Sequence, residues 1–287
     1  MAMDGYLTNG VSGSIGNQTY RVIGGRQVIS ERIRHANNPK TIPQMMQRVK
    51  FPNLVSTYKA AHGLLRGYFE KHNLLKDNRG GFNFNRFVSL NLQNYPVYLS
   101  RLESAGGYCI AAPYQISDGS LPAIETMGTG RETCTNIHLD GLTIDSDTTV
   151  SAFAKAVVEN NALYEYGDAI VFFRFLQRKR EETGIPYLAV ERYRVMLDAA
   201  DQSLLREHAP AVGFSLRDGM LGHGEELDQE AFAWVHTRRG WEKEFVSPQR
   251  LIVCCRLFGE YNSEEAKIRA LESYGTTCIA LEPVSIK

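Results

Sequence analysis

Beyond the Gly106–Gly107 pair the chain breaks into short runs of β-branched and aromatic residues, and this limits its possible folds more than any other feature. The runs are YCIAAPYQI (108–116), LPAIETM (121–127), CTNIHLDGLTI (134–144), DAIVFFRFLQR (168–178), YLAVERYRVML (187–197), AFAWVHTRR (231–239) and RLIVCCRLF (250–258). Each has the length of a strand, and Gly, Asp, Asn or Pro punctuates many of the joints. No long helices alternate with them, as the crossovers of a parallel sheet would require. We therefore expect an antiparallel β-sandwich or barrel-like domain. Two short helices should interrupt it. SDTTVSAFAKAVVENN (146–161) has Ser and Asp as candidate caps. NSEEAKIRALESYG (262–275) opens at Asn262 or Ser263, carries two acids in its first turn and stops at Gly275.

The first hundred residues read differently. A glycine-spaced opening (Gly5, Gly10, Gly13, Gly16) suggests an extended, flexible lead-in. NQTYRVIGGRQVISERI (17–33) then predicts a β-hairpin, because Gly24–Gly25 supplies the positive torsions of a two-residue turn between β-branched arms. Thr41 and Gln44 have capping-box spacing, with Pro43 tolerated in the first turn of the helix that follows. Leu54, Val55, Tyr58 and Ala61 continue it at helical spacing, and Pro52 should kink or split it near Phe51. GGFNFNRFVSLNLQ (80–93) suits either a loop-bound helix with Phe82, Phe84, Phe87 and Leu90 inward or irregular packing. The fold class expected is α+β, mainly β. Residues 1–101 form a basic hairpin-plus-helix module, and residues 102–287 an acidic β-rich domain with short helices.

Charge supports that division. Residues 1–101 hold 14 Lys and Arg against 4 Asp and Glu, whereas the remainder holds 18 against 28, so a net charge of zero conceals opposite halves. Such polarity bears on association rather than fold. Within residues 13–51, Arg21, Arg26, Arg32, Arg34, Lys40, Arg48 and Lys50 face a single acid, Glu31. These seven are the residues we expect at subunit or partner contacts. The five cysteines are scattered apart from Cys254–Cys255, which suits buried thiols in a reducing compartment. No apolar run approaches the ~20 residues that span a bilayer, and the first ten residues lack the pattern of a secretory signal.

Catalytic and cofactor motifs fail on inspection. GSIGNQ and GTGRET lack the glycine count and the Lys-Ser/Thr ending of a phosphate cradle. GFSLRDG places Arg217 where a nucleophile elbow needs its second glycine. Cys134 and His138 make two metal ligands without a second pair, and Asp145 and Asp147 read as caps of the next helix. His236 lies on a strand between Trp234 and Arg238 with no partner in view, so a half-buried structural histidine is expected. Neither a cofactor nor a metal is implied, and we expect no enzymatic activity.

Three partner classes follow. The basic module could dock onto further copies of the chain or onto other proteins. It could instead track a nucleic-acid backbone, with Tyr20, Phe51 and Tyr58 as interleaved aromatics, although no zinc-finger, helix-turn-helix or RNP-like signature accompanies it. A carbohydrate-binding or hydrolytic β-domain using Trp234, Trp241 and the acidic face is the third, although no acid/base pair is identifiable in the sequence.

The opening block, GSIGNQTYRV…GGRQVISERIRHANNPKTIPQMMQRVKF, resembles that of an uncharacterised family found in Bacteroidetes genomes and their phages, the crAss-like phages among them. FAKAVVENNALYEYGD, FAWVHTRRGWEKEFVSPQRL and YNSEEAKIRALESYG are similar to that family's distal domain, so the resemblance runs through most of the chain. It implies a virion structural protein, a ring, collar or hub subunit of a portal–tail assembly made in the host cytoplasm. Its partners would be copies of itself and other virion proteins, with no membrane. It supplies no catalytic residues.

Overall fold

The computed structural model describes residues 12–23, 25–35, 41–70, 82–92, 111–182, 186–224, 230–241 and 243–254. The chain divides into two compact units, Met1–Thr41 and Ile42–Lys287. The packing boundary therefore falls at the start of the first helix, ahead of the change in charge near residue 101.

The first unit is a three-stranded antiparallel sheet in the order β1 (Gly13–Ile15), β2 (Gln18–Ile23), β3 (Arg26–Glu31). The hairpin read from the sequence is β2–β3, with Ile23 opposite Arg26 across a two-residue loop in which Gly25 has φ 78°. Of the lead-in expected to be extended and flexible, Gly5 and Gly10 lie outside the described residues, and the part from Gly13 is paired instead. Gly16, at φ 58°, closes a second tight turn with Asn17, and Gly13–Ile15 pairs with Gln18–Tyr20 as a strand.

The second unit is mainly β. Its centre is an antiparallel sheet in the order β12 (Glu244–Val246), β11 (Glu230–Arg239), β7 (Ala169–Lys179), β8 (Pro186–Met196), with β14 (Ile252–Val253) also on β11, while β4 (Gln115–Ser117) pairs with β13 (Gln249–Arg250). Strands β7 and β11 are apolar on both faces because both faces are covered. Val171, Phe173, Phe175, Ala231, Ala233 and Val235 point into one core, which α1 (Ile42–Ala61) and α2 (Phe82–Asn91) close with Leu54, Tyr58, Ala61 and Phe87. Ile170, Phe172, Phe232 and Trp234 point into the other. That second core is closed by α3 (Val150–Asn160) and by the sheet of β5 (Thr126–Met127), β6 (Cys134–His138), β10 (Met220–Gly222) and β9 (Ser215–Arg217). The antiparallel, sandwich-like packing is present here, with helices on the opposite face of the central sheet. Each fully buried Phe contributes about 1.5–3 kcal/mol relative to exposure.

Two local expectations change. The first helix runs through Pro52 as one element; residues beyond it, Leu54, Tyr58, Ala61 and the following Leu65, are buried and hold its second half against the core. The cap of α3 is Thr149, whose hydroxyl accepts from Ala152 N at 3.2 Å, rather than Ser146 or Asp147. Asp145 instead organises the preceding turn, accepting from Asp147 N and from Thr148 Oγ1. The helix read over 262–275 lies outside the described residues. Among the described residues no helix is long and apolar enough to cross a membrane.

Candidate functional site

The first unit is exposed on both faces. Alternation along the paired strands puts Ile15, Tyr20, Val22 and Ile29 on one face and Arg21, Ile23, Arg26 and Val28 on the other. Ile15 is 65% exposed, Ile29 55% and Val22 46%. A small sheet of this kind gains stability from an apolar face packed on something. Side-chain hydrogen bonds within it include Tyr20 Oη to Gln18 Oε1 at 2.7 Å and Asn17 Nδ2 to Glu31 Oε1 at 3.3 Å.

The seven basic residues do not all belong to one unit. Arg21 and Arg26 share a face of the sheet. Arg32 and Arg34 follow β3 and line a shallow cleft of about 540 Å³ with Asn17, Glu31, Ile33 and His35. Lys40 lies outside the described residues, and Arg48 and Lys50 belong to α1, in the other unit. Contiguous in sequence, they are divided between two units, since α1 packs into a core of the second.

The most highly organised polar cluster lies in the second unit, around Asp168. This residue precedes β7, directly across from Arg238 of β11, because Thr237 pairs with Ala169. His236, two residues away on the same face, also reaches it. Arg238 donates to Asp168 through Nε to Oδ1 at 2.7 Å and Nη2 to Oδ2 at 2.8 Å. His236 Nε2 lies 2.8 Å from Oδ2, and since a carboxylate only accepts, that nitrogen carries the hydrogen. Glu165 N donates to Oδ2 as well. Burial opposes ionisation of Asp168, but the Arg238 and His236 hydrogen bonds outweigh it and hold the carboxyl far below the usual carboxylate range. The Tyr164 ring lies 4.5 Å from that of His236, and burial together with the Asp168 charge pushes its phenol up.

His236 is thus fully buried rather than half-buried, and it has a partner. Among the described residues no hydroxyl or thiol is hydrogen-bonded to its ring, so the cluster lacks a nucleophile. A chain of Asp201, Ser203 and His208 does contain one, with Ser203 Oγ 2.6 Å from Asp201 Oδ1 and 2.7 Å from His208 Nε2. Its order is wrong for catalysis: the hydroxyl donates to the carboxylate, so histidine cannot take that proton.

Two further buried carboxylates serve packing. Glu70 accepts from Ser120 N, Val246 N and Lys243 Nζ. Burial opposes its ionisation, and these bonds, the backbone ones foremost, bring its carboxyl below the ordinary range. Glu230 accepts from Arg174 Nε and faces His223, whose Nε2 is buried without a hydrogen-bond partner among the described residues. His223 Nδ1 is 2.8 Å from Gly224 O and so carries the hydrogen. Burial pushes His223 down to about 4.

The remaining sequence candidates resolve individually. Cys134 is buried and His138 exposed, and no metal-binding group of three His, Cys, Asp or Glu occurs among the described residues. Gly213 of GFSLRDG sits against the Phe172 ring, and Ser215 Oγ donates to Gly222 O. Trp234 is buried, with its Nε1 donating to Gly213 O at 2.7 Å, which removes it from any carbohydrate surface; Trp241 is fully exposed. Asp168 escaped the sequence reading. Its local signs were its place at the head of DAIVFF and the period-two pair His236 and Arg238.

Comparison with protein-family models, with curated proteins and with solved structures finds no match for this chain.

Proposed function

We propose that the protein is a non-enzymatic structural protein of a phage particle, a ring, collar or hub subunit of a portal–tail assembly built from copies of this chain. The observation that carries this reading is the first unit, a three-stranded sheet whose apolar and arginine faces are both exposed. An exposed strand edge and an uncovered apolar face are liabilities in an isolated molecule and become contacts in an assembly. The family resemblance of the opening block points the same way. Arg21 and Arg26 would select an acidic surface, setting register and partner choice more than affinity. A heterologous contact of this kind forms a ring where its rotation closes.

Light scattering on the purified full chain at low and high salt tests the reading. A mass several times 32.2 kDa that falls with salt supports it. Replacing Arg21, Arg26, Arg32 and Arg34 together by Ser should lower that mass and leave the melting temperature nearly unchanged. A monomer at every salt and concentration overturns self-assembly.

The pair Arg21 and Arg26 on one face of an exposed ribbon favours nucleic acid as the second reading. It requires binding to a random-sequence duplex that weakens steeply with salt.

A further inference from the structure

At the end of the central sheet where β7 begins and β8 and β11 finish, a cleft of about 650 Å³ opens between Tyr166, Met196 and Trp241. Its floor is the Asp168–Arg238 ion pair. Trp241, in the turn joining β11 to β12, is fully exposed, and Tyr166 is 49% and Met196 39% exposed. Neither a core nor a hairpin turn requires an indole in water.

We propose that this cleft binds neutral sugar units of an oligosaccharide or polysaccharide, stacking on Trp241 and Tyr166. The charges decide the ligand class. The lining holds two acids, Glu165 and Asp168, and two bases, Arg238 and Arg239, so it presents no net field for a polyanion. Arg238 is committed to Asp168, to Glu165 at 3.3 Å and to the Leu163 carbonyl at 3.0 Å. Arg239 is the one lining cation with no ion pair or side-chain hydrogen bond among the described residues. A single free cation is too little for phosphate-backbone recognition, which rests on several neutralised phosphates. A neutral polyol needs what remains: an aromatic face for its C–H groups, a guanidinium donor in Arg239 and a carboxylate acceptor in Glu165, which is 70% exposed. The Asp168–Arg238–His236 lattice keeps the floor rigid, so little ordering is lost on binding.

The site binds without cleaving. Asp168 accepts from Arg238, His236 and Glu165 N and carries no proton to give, so the two carboxylates cannot divide acid and base roles. This inference is independent of the assembly reading, since every residue in it lies in the second unit.

Tryptophan fluorescence of the full chain tests it, because Trp241 is in water and Trp234 is buried. The probes are cellohexaose, chitohexaose, mannohexaose, maltohexaose, xylohexaose and a thymidylate oligonucleotide. At least one hexasaccharide should shift the emission of the exposed indole. Its affinity, measured by calorimetry, should fall at least about tenfold in Trp241→Ala and several-fold in Arg239→Ala. Circular dichroism of both variants should match the parent. The proposal is overturned if no hexasaccharide binds, if Trp241→Ala binds within about twofold of the parent, or if only the oligonucleotide binds. It is equally overturned if Trp241→Ala lowers the mass of an assembly while no sugar binds, which would make the cleft a protein contact.

Discussion

Asp168 and Arg238 meet side-on across β7 and β11, joined by two hydrogen bonds of 2.7 and 2.8 Å, with the carboxylate 2% and the guanidinium 30% exposed. The pair ties the turn before β7 to the end of β11, and His236 completes the carboxylate's shell from the buried side. Removing Asp168 leaves His236 buried without its carboxylate, and Arg238 with Glu165 and the Leu163 carbonyl alone.

Asp168→Asn should therefore cost about 2–3 kcal/mol in urea denaturation at neutral pH, below the full loss for a buried pair because Arg238 keeps some water. The sign in acid follows from the carboxyl's lowered position. Its stabilisation is complete above the unfolded value near 3.9 and disappears as pH falls through the folded one. The variant should lack this part of the acid transition. Equal steepness of parent and variant below about pH 4 would refute the assignment.

His223 has the same sign and a higher window. Burial holds it down to about 4 in the folded chain against 6.5 unfolded, with Arg174 and Arg217 nearby and Glu230 facing it. Stability should be complete above about pH 6.5 and fall by up to about 3 kcal/mol as pH drops toward 4. His223→Gln keeps a polar group opposite Glu230 without titrating. Urea midpoints from pH 7 to pH 4 should show a flatter profile for that variant.

Gly213 lies where an added Cβ would come within 2.3 Å of Phe172 Cδ1. Gly213→Ala should destabilise the second unit by about 1–3 kcal/mol through overpacking, read as a lowered melting temperature. An unchanged melting temperature would mean that the Phe172 ring moves freely, contrary to its place in the second core.

In the first unit, Val22→Ser with Ile29→Ser changes only exposed side chains of one face. Thermal stability should stay within about 0.5 kcal/mol, whereas the mass of the assembly should fall at high as well as low salt. A loss confined to low salt would assign the contact to the arginine face alone.

Much of the fold was legible. The runs around Phe172 and Trp234 were legible as strands, although their cover on both faces became visible only in the structure. The Gly-Gly pair located the hairpin, and Thr41 marked the start of α1. Less could be read where short elements depend on neighbours. Gly13–Ile15 has only three residues and pairs because Gly16 and Asn17 return the chain. The strands β9, Ser215–Arg217, and β10, Met220–Gly222, are equally brief, joined by a turn in which Asp218 adopts φ 52°.

By itself the sequence determined strand periodicity, turn chemistry, helix starts and the division of charge, since each depends on residues within a few positions of one another. Tertiary structure alone decided that Trp234 is buried and Trp241 exposed, and that the basic stretch is shared between two units. It also decided that His236 finds Asp168 68 residues away. Register and burial arise from contacts between distant segments. Local propensity is identical for a tryptophan that fills a core and one that stands in water.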